Sequence, residues 1–383
     1  HNLINLLSSK FYNDMINHTV EIIYTDLYED EDDEYYDELY DYIKQLSDIF
    51  LNVYEIPQRT TENMKDITPE YLLELNEIII QLEQTPQPVQ RTPEWYEFRY
   101  NLITASNLNK VFGTNAAINS LICEKCKPLS YTSIFSNVNT SSSLHWGVKY
   151  EPVTVMVYEH KYNTHISEFG CIQHPRYSFI GASPDGINTD KSSNRYGRML
   201  EIKNIVNRDI TGIPKDEYWV QTQVQMETCN LNECDFVETR FKEYENKQSY
   251  NADISREYKG IMLQFYEKMN MNNTQSLSPV YKYMPLFIPD IDTWINEQTC
   301  IMREQNFTLL STTYWYLDEI SRILIPRNKQ WFNVSVPKIE SIWNTILNER
   351  VNGYEHRIPK KKEFDIVIET DKMIKSVCLI RLD

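Results

Sequence analysis

The chain has 383 residues, enough for one large domain with elaborations or for two to three modules. Hydrophobic residues make up 41% of it, which supplies a sizeable core and excludes global disorder. The formal net charge of −17 argues against a polyanionic partner until its distribution is read: residues 1–90 hold 20 Asp/Glu and four Lys/Arg (Lys10, Lys44, Arg59, Lys65), a net of −16, and the remainder is near neutral at −1. The acidity is an appendage, and a near-neutral body can carry a basic groove.

Seven cysteines, an odd number at irregular spacing, point to reduced thiols. No apolar run is long enough to span a bilayer. The opening His1-Asn2-Leu3 lacks the charged segment and apolar core of a secretory leader. The expectation is an intracellular chain with no membrane association.

Residues 1–88 read as an acidic helical region. Leu3, Leu6, Leu7, Phe11, Met15 and Ile16 recur at helical spacing, and Glu29 to Asp41 is an acidic run studded with tyrosine. A helix is predicted from Pro69 to Leu82, with Thr68 as N-cap and Pro69 at the first helical position. Thr85-Pro86-Gln87-Pro88 is a linker by its prolines.

From Thr92 the texture changes. A helix carrying Trp95, Phe98 and Arg99 is followed by a short one opened by Thr104-Ala105-Ser106, and a third spans Leu144 to Tyr162. Strand-like runs cover His165 to Ile172, Tyr177 to Ala182 and Arg198 to Ile205. A helix from Asp216 to Thr228 and a strand from Asp235 to Tyr244 follow. That order predicts an α/β core at 89–280, a mixed sheet flanked by helices. Residues 281–383 read as a mostly helical extension packing on the core, with a basic Lys360-Lys361-Lys362 and a strand-like Phe364 to Leu382.

The chemistry concentrates in two runs. Ile180-Gly181-Ala182-Ser183-Pro184-Asp185-Gly186 is a strand ending in a turn. In Met199-Leu200-Glu201-Ile202-Lys203, Glu201 and Lys203 share one face and Ile202 points into the core. The polar stretch between them suits a hairpin, which sets Asp185 beside Glu201. Phosphodiester hydrolysis uses this set: hard oxygens for Mg²⁺ or Mn²⁺, an activated water and a lysine for developing negative charge. Taken alone, Glu-x-Lys is an ordinary surface pair and Asp-Gly an ordinary turn.

Other segments shift the balance. Trp146-Gly147 leads to Glu151 on a helix just upstream. Tyr218 to Met226 sets Gln221, Val224 and Gln225 on one helical face. Arg99 offers a phosphate clamp, and Ser106 sits near a helix N-terminus, where anions bind.

Arg99-x3-Ile103-Thr104-Ala105-Ser106, Trp146-Gly147-x3-Glu151, Ser183-Pro184-Asp185-Gly186, Glu201-Ile202-Lys203 and Tyr218-x2-Gln221-x-Gln223 stand in an order that resembles the lambda-exonuclease family, the YqaJ-type viral recombinases, with herpesvirus alkaline nucleases as relatives. The resemblance covers about residues 91–245; a softer one extends over 310–350 to members from large DNA viruses. It implies a PD-(D/E)xK restriction-endonuclease-like core. Glu151, Asp185, Glu201 and the Ile202 carbonyl would hold Mg²⁺ or Mn²⁺. Lys203 would position the water, and Gln221 would support the water or the scissile phosphate. Arg99, Ser106 and Ser183 would bind a terminal 5′-phosphate.

The implied activity is a 5′-to-3′ exonuclease on double-stranded DNA ends, serving viral recombination, repair or genome processing beside a single-strand annealing protein. The implied setting is host cytoplasm, nucleus or virion. The two extensions put the family's ring-shaped trimer in doubt. They leave room for a DNA or RNA endonuclease, or for a non-catalytic nucleic-acid-binding module.

Smaller signals read plainly. Cys123-x-x-Cys126, with Cys229 and Cys234, lacks the spacing of a four-cysteine cluster site. The histidines show no zinc spacing, and no glycine-rich phosphate loop is present. Trp95, Tyr96 and Trp146 are candidates for base stacking or for the core.

Overall fold

The structure is a computed structural model, and it describes residues 9–27, 33–53, 68–90, 92–129, 139–140, 142–267 and 279–359. Leu3, Leu6, Leu7, the start of the acidic run, the Lys360–Lys362 cluster and the strand expected at 364–382 lie outside the described residues.

Helices α1 (Ser9–Leu27) and α2 (Asp33–Val53) pack on each other, with Ile16 and Val20, one turn apart, fully buried. Helix α3 (Pro69–Gln84) opens where its caps predict, with Thr68 Oγ1 accepting from the Tyr71 amide at 3.2 Å. Leu75, Ile79 and Leu82, at helical spacing, lie in the same core as Ile180, Met199 and Val224. Tyr196 adds a hydrogen bond to Asn76 at 3.3 Å. Among the described residues, α1 and α2 form the acidic appendage, and α3 belongs to the α/β body.

That body continues through α4 (Pro93–Tyr100), β1 (Ile103–Thr104), the short α5 (Ala105–Leu108) and α6 (Asn115–Cys126) to the long α7 (Ser143–Tyr162). Strands β2 (Ile166–Ser167), β3 (Ile172–Gln173), β4 (Ile180–Ala182), β5 (Gly186–Asn188) and β6 (Met199–Asn204) come next. After α8 (Asp216–Cys229) come β7 (Glu233–Glu243), the short α9 (Lys247–Ala252), β8 (Lys259–Glu267) and β9 (Val280–Tyr283). Helix α10 (Ile291–Glu304), β10 (Phe307–Pro326) and α11 (Lys329–Asn352) complete it. The main sheet has seven strands in the order β2-β5-β6-β7-β10-β8-β9, and a small sheet has the order β1-β4-β3. In the main sheet β6 and β7 run parallel and the other pairs antiparallel. Helix α7 covers one face of β6 and β7 around Tyr158, Leu200 and Val237; α8 covers the other around Met199, Phe236 and Val224. This is the mixed sheet flanked by helices that the sequence predicts.

The run His165 to Ile172 is two short strands in different sheets, separated by Glu168–Cys171. The region after 281 holds the helices α10 and α11 and, besides them, a long strand. Its longest single strand, β10, pairs with β8 over Phe307–Tyr316 and with β7 over Trp315–Pro326, in the middle of the sheet. Two register shifts, near Leu310 and Asp318, let the 20-residue strand bend between its partners. Trp315, fully buried, lies on Gly260, where a Cβ would come within 2.5 Å of the indole.

Candidate active site

The hairpin joining β5 to β6 assembles the centre. Gly186 pairs with Leu200, and the Asp185 amide donates to the Leu200 carbonyl at 3.2 Å. The Asp185 carboxylate then reaches across the register and accepts the Ile202 amide at Oδ2, 2.7 Å away. Glycine is required after the aspartate because Ile166 of β2 packs there: a Cβ on Gly186 would lie 2.2 Å from its Cγ2. The Ser-Pro-Asp-Gly turn is therefore fixed by packing on one side and by the ladder on the other.

Alternation on β6 sends Glu201 and Lys203 toward α8 and Ile202 into the core beneath α7. The Lys203 ammonium donates to Glu201 Oε1, and Gln221 Nε2 donates to the same oxygen at 2.7 Å. Gln225, one turn further along α8, donates to Glu201 Oε2 at 2.7 Å and to the Ser183 carbonyl at 3.1 Å. Glu201 is fully buried, yet both its oxygens are satisfied.

Burial raises the Asp185 carboxyl well above the ordinary carboxylate range, and the neighbouring Glu201 and Glu151 carboxylates push it further. Burial works against the Lys203 ammonium, but Glu201 and Asp185 outweigh it and hold its pKa above the ordinary lysine value. Lys203 is thus a fixed cation, with Tyr218 5.0 Å away at its ring centre. Arg208 and Lys215 stand within 6 Å of the same ring, Arg208 also paired with Glu238 and Lys215 with Glu217.

Glu151 sits in the middle of α7, just before Pro152. The proline removes the helical hydrogen bond that the Val148 carbonyl would otherwise accept. Val148, Glu151 and Pro152 line one wall of a cleft of about 650 Å³, whose other walls include Ser183, Asp185, Trp95 and the strap Gln87–Gln90. Gln87 pins that strap by accepting the Gly170 amide at Oε1 and donating to the Leu82 carbonyl at 2.9 Å. The Ser183 hydroxyl and the Trp95 indole N–H are buried without a hydrogen-bond partner among the described residues.

The sequence-predicted residues separate into groups. Glu201, Lys203 and Gln221 meet directly; Asp185 binds the Ile202 amide between Glu201 and Lys203, and it and Glu151 join the cluster electrostatically. Ser183 faces the cleft. Arg99 stacks on Trp95, 4.4 Å from its ring centre, and makes no ion pair among the described residues. Ser106 is exposed with its hydroxyl 3.2 Å from that of Thr104, and it is not among the cleft-lining residues. β1 and β4 run parallel with Thr104 paired to Gly181, so Ser106 and Ser183 each follow two residues after that pair. Trp146 belongs to the core beside Tyr150.

Gln225 is the one site residue that the motifs pass over; only its position four residues after Gln221 points to it. Gln223, inside the matching motif, turns away and binds the Pro326 carbonyl and the Asn328 amide.

The oxygen donors present suit a hard divalent cation: Asp185, Glu151, Glu201 and the backbone carbonyl of Ile202. The repulsion that raises Asp185 is what such a cation would relieve. Among the described residues no three acidic, histidine or cysteine side chains are drawn into a closed metal cage. Cys126 is in the core and directs its thiol to the Ile346 carbonyl at 3.6 Å.

The mixed sheet flanked by helices brings Asp185, Glu201 and Lys203 of an α/β protein together at one hairpin. Residues 94–232 match the YqaJ-like viral recombinase domain. An uncharacterised protein of Acanthamoeba polyphaga mimivirus is 26% identical over 302 residues, covering 70% of this chain and 54% of that protein. The chain spans about half the length of that curated relative. Among solved structures, an alkaline exonuclease from Laribacter hongkongensis is 19% identical with a TM-score of 0.37, covering 69% of this chain and 95% of its own. A phage-related exonuclease from Haemophilus somnus 129PT is 12% identical with a TM-score of 0.32, covering 65% and 93%.

Proposed function

We propose that the chain is a divalent-metal-dependent DNA nuclease that digests duplex ends from 5′ to 3′, in recombination, repair or processing of a viral genome. The observation that carries the reading is the β5–β6 hairpin, which sets Asp185 against the Ile202 amide and next to the Glu201–Lys203–Gln221 cluster. Asp185, Glu151, Glu201 and the Ile202 carbonyl would hold Mg²⁺ or Mn²⁺, which when bound polarises the phosphate and acidifies the attacking water.

The chain's own residues do the rest. Lys203 keeps its proton, so its role is to donate: it orients the water and faces the negative charge that develops on the phosphate. Gln221 bridges Lys203 and Glu201, with Lys203 Nζ 3.5 Å from Gln221 Oε1, and sets the angle between them. Arg99, Ser106 and Ser183 form the 5′-phosphate pocket, with the unpartnered Ser183 hydroxyl as a waiting donor. The cationic group around Tyr218 receives the rest of the strand. The working partner is DNA with free ends, and a single-strand annealing protein takes up the strand left behind. The setting is intracellular in an infected host; among the described residues no helix is long and apolar enough to cross a membrane.

The test is digestion of a linear duplex labelled at each 5′ and 3′ end in turn, with and without a 5′-phosphate, in Mg²⁺ and in EDTA, alongside Lys203→Ala and Asp185→Ala. Release of 5′ label as mononucleotide, lost in EDTA and in both variants, is the expected result. Cleavage of closed circles would move the reading to an endonuclease. No cleavage of linear, circular or single-stranded DNA or RNA would leave a binding module.

A further inference from the structure

Gln225 lies in α8 with no exposed surface. Its carboxamide nitrogen bridges two parts of the site, Glu201 Oε2 at 2.7 Å and the Ser183 carbonyl at 3.1 Å. Its oxygen is buried without a hydrogen-bond partner among the described residues. That is a costly arrangement, and it settles the orientation of the amide: a flip would set an acceptor against the Glu201 carboxylate and the Ser183 carbonyl. A carboxylate offers about four acceptor sites. Lys203 and Gln221 occupy Oε1 and Gln225 occupies one on Oε2, which leaves the open site on Oε2.

We infer that Gln225 is a positioning residue. It fixes the plane of the Glu201 carboxylate and ties it to the Ser183–Asp185 turn, so that the carboxylates meet a divalent cation in one preset arrangement. This rests on the proposed reading of the site as a metal centre. Gln223 supplies the internal control. It is equally buried on the same helix and also makes two hydrogen bonds, but both go to the β10–α11 junction, to the Pro326 carbonyl at 2.9 Å and from the Asn328 amide at 2.6 Å. A loss that follows from disturbing α8 would appear in both variants; a loss that follows from freeing Glu201 would appear only at Gln225.

The experiment is calorimetric titration of the full chain with Mn²⁺ alone, on the wild type, Gln225→Met and Gln223→Met, each checked by thermal melting. Removing an outer partner of a metal ligand typically weakens binding by roughly 10- to 100-fold, and that loss is expected in Gln225→Met with Gln223→Met at the wild-type affinity. Equal affinity in wild type and Gln225→Met would overturn the inference and leave the metal centre standing. Equal weakening in both variants would also overturn it, since a general effect of α8 would then suffice. Absence of Mn²⁺ binding to the wild type would instead remove the metal centre itself and the inference with it. Should Gln225→Met fail to fold, Gln225→Asn keeps the amide and shortens its reach by one methylene, and the same comparison applies.

Discussion

Arg99 shows how a side chain can be held ready without being spent. Its guanidinium rests on Trp95, a contact worth about 0.5–1 kcal/mol at a half-exposed position, and no carboxylate among the described residues claims it. Arg99→Ala is therefore expected to leave the melting temperature almost unchanged. It should cut the rate on 5′-phosphorylated ends to that on 5′-hydroxyl ends, a loss of roughly 10- to 100-fold for a charge-assisted bond of about 1.5–3 kcal/mol. Initial rates on the two substrates check it, and a preserved preference would remove Arg99 from the pocket. Asp185, Glu201 and Lys203 were legible in the sequence because strand alternation and a polar turn determine which side chains meet. Gln221 and Gln225 were legible only as a shared helical face. That Gln225 holds Glu201 and Gln223 holds the C-terminal junction depends on contacts up to about a hundred residues away, which no local pattern records.

The strap between α3 and α4 turns a linker into a wall. Pro86 and Pro88 mark it as a connector, and the sequence alone places a domain boundary there. The structure instead seals it to the body through Gln87 and Gly170, where a Cβ would come within 3.0 Å of the Gln87 Cβ. Gln87→Ala removes the acceptor of the Gly170 amide and is expected to cost about 1–3 kcal/mol. A lower urea midpoint with faster proteolysis at 85–90 checks it; an unchanged midpoint would mean that the strap does not depend on that side chain. Helix ends were legible because caps are local: Thr68, Thr92 and Ser142 each accept an amide three residues on. Strand β10 was not. Most of its residues are partly buried, so it lacks the clean alternation of buried and exposed positions that betrays a strand.

At the scale of the molecule, the domain that carries the site and the unit that folds are different lengths of chain. β10 closes the sheet between β7 and β8, and α11 adds Phe332, Val336 and Ile339 to the core that supports α8. A fragment of residues 89–280 lacks β10, α11 and α3. It is expected to show no cooperative thermal transition by circular dichroism, whereas residues 68–359 should melt cooperatively. A folded 89–280 fragment would show that the central strand is dispensable.

The position of β10 also orders events at the ribosome. Between the end of β8 and the end of β10 the nascent chain grows by enough residues to take roughly 3 to 12 seconds at ordinary synthesis rates. Through that interval β7 and β8 each present an unpaired edge, and β8 carries Ile261, Met262, Leu263 and Phe265 along it, the kind of edge that recruits strands from other chains. The yield of native protein is therefore expected to depend on how fast residues 307–326 are made. Slower translation of that stretch, or a stop codon within it, would send the product to the insoluble fraction with every site residue already in place.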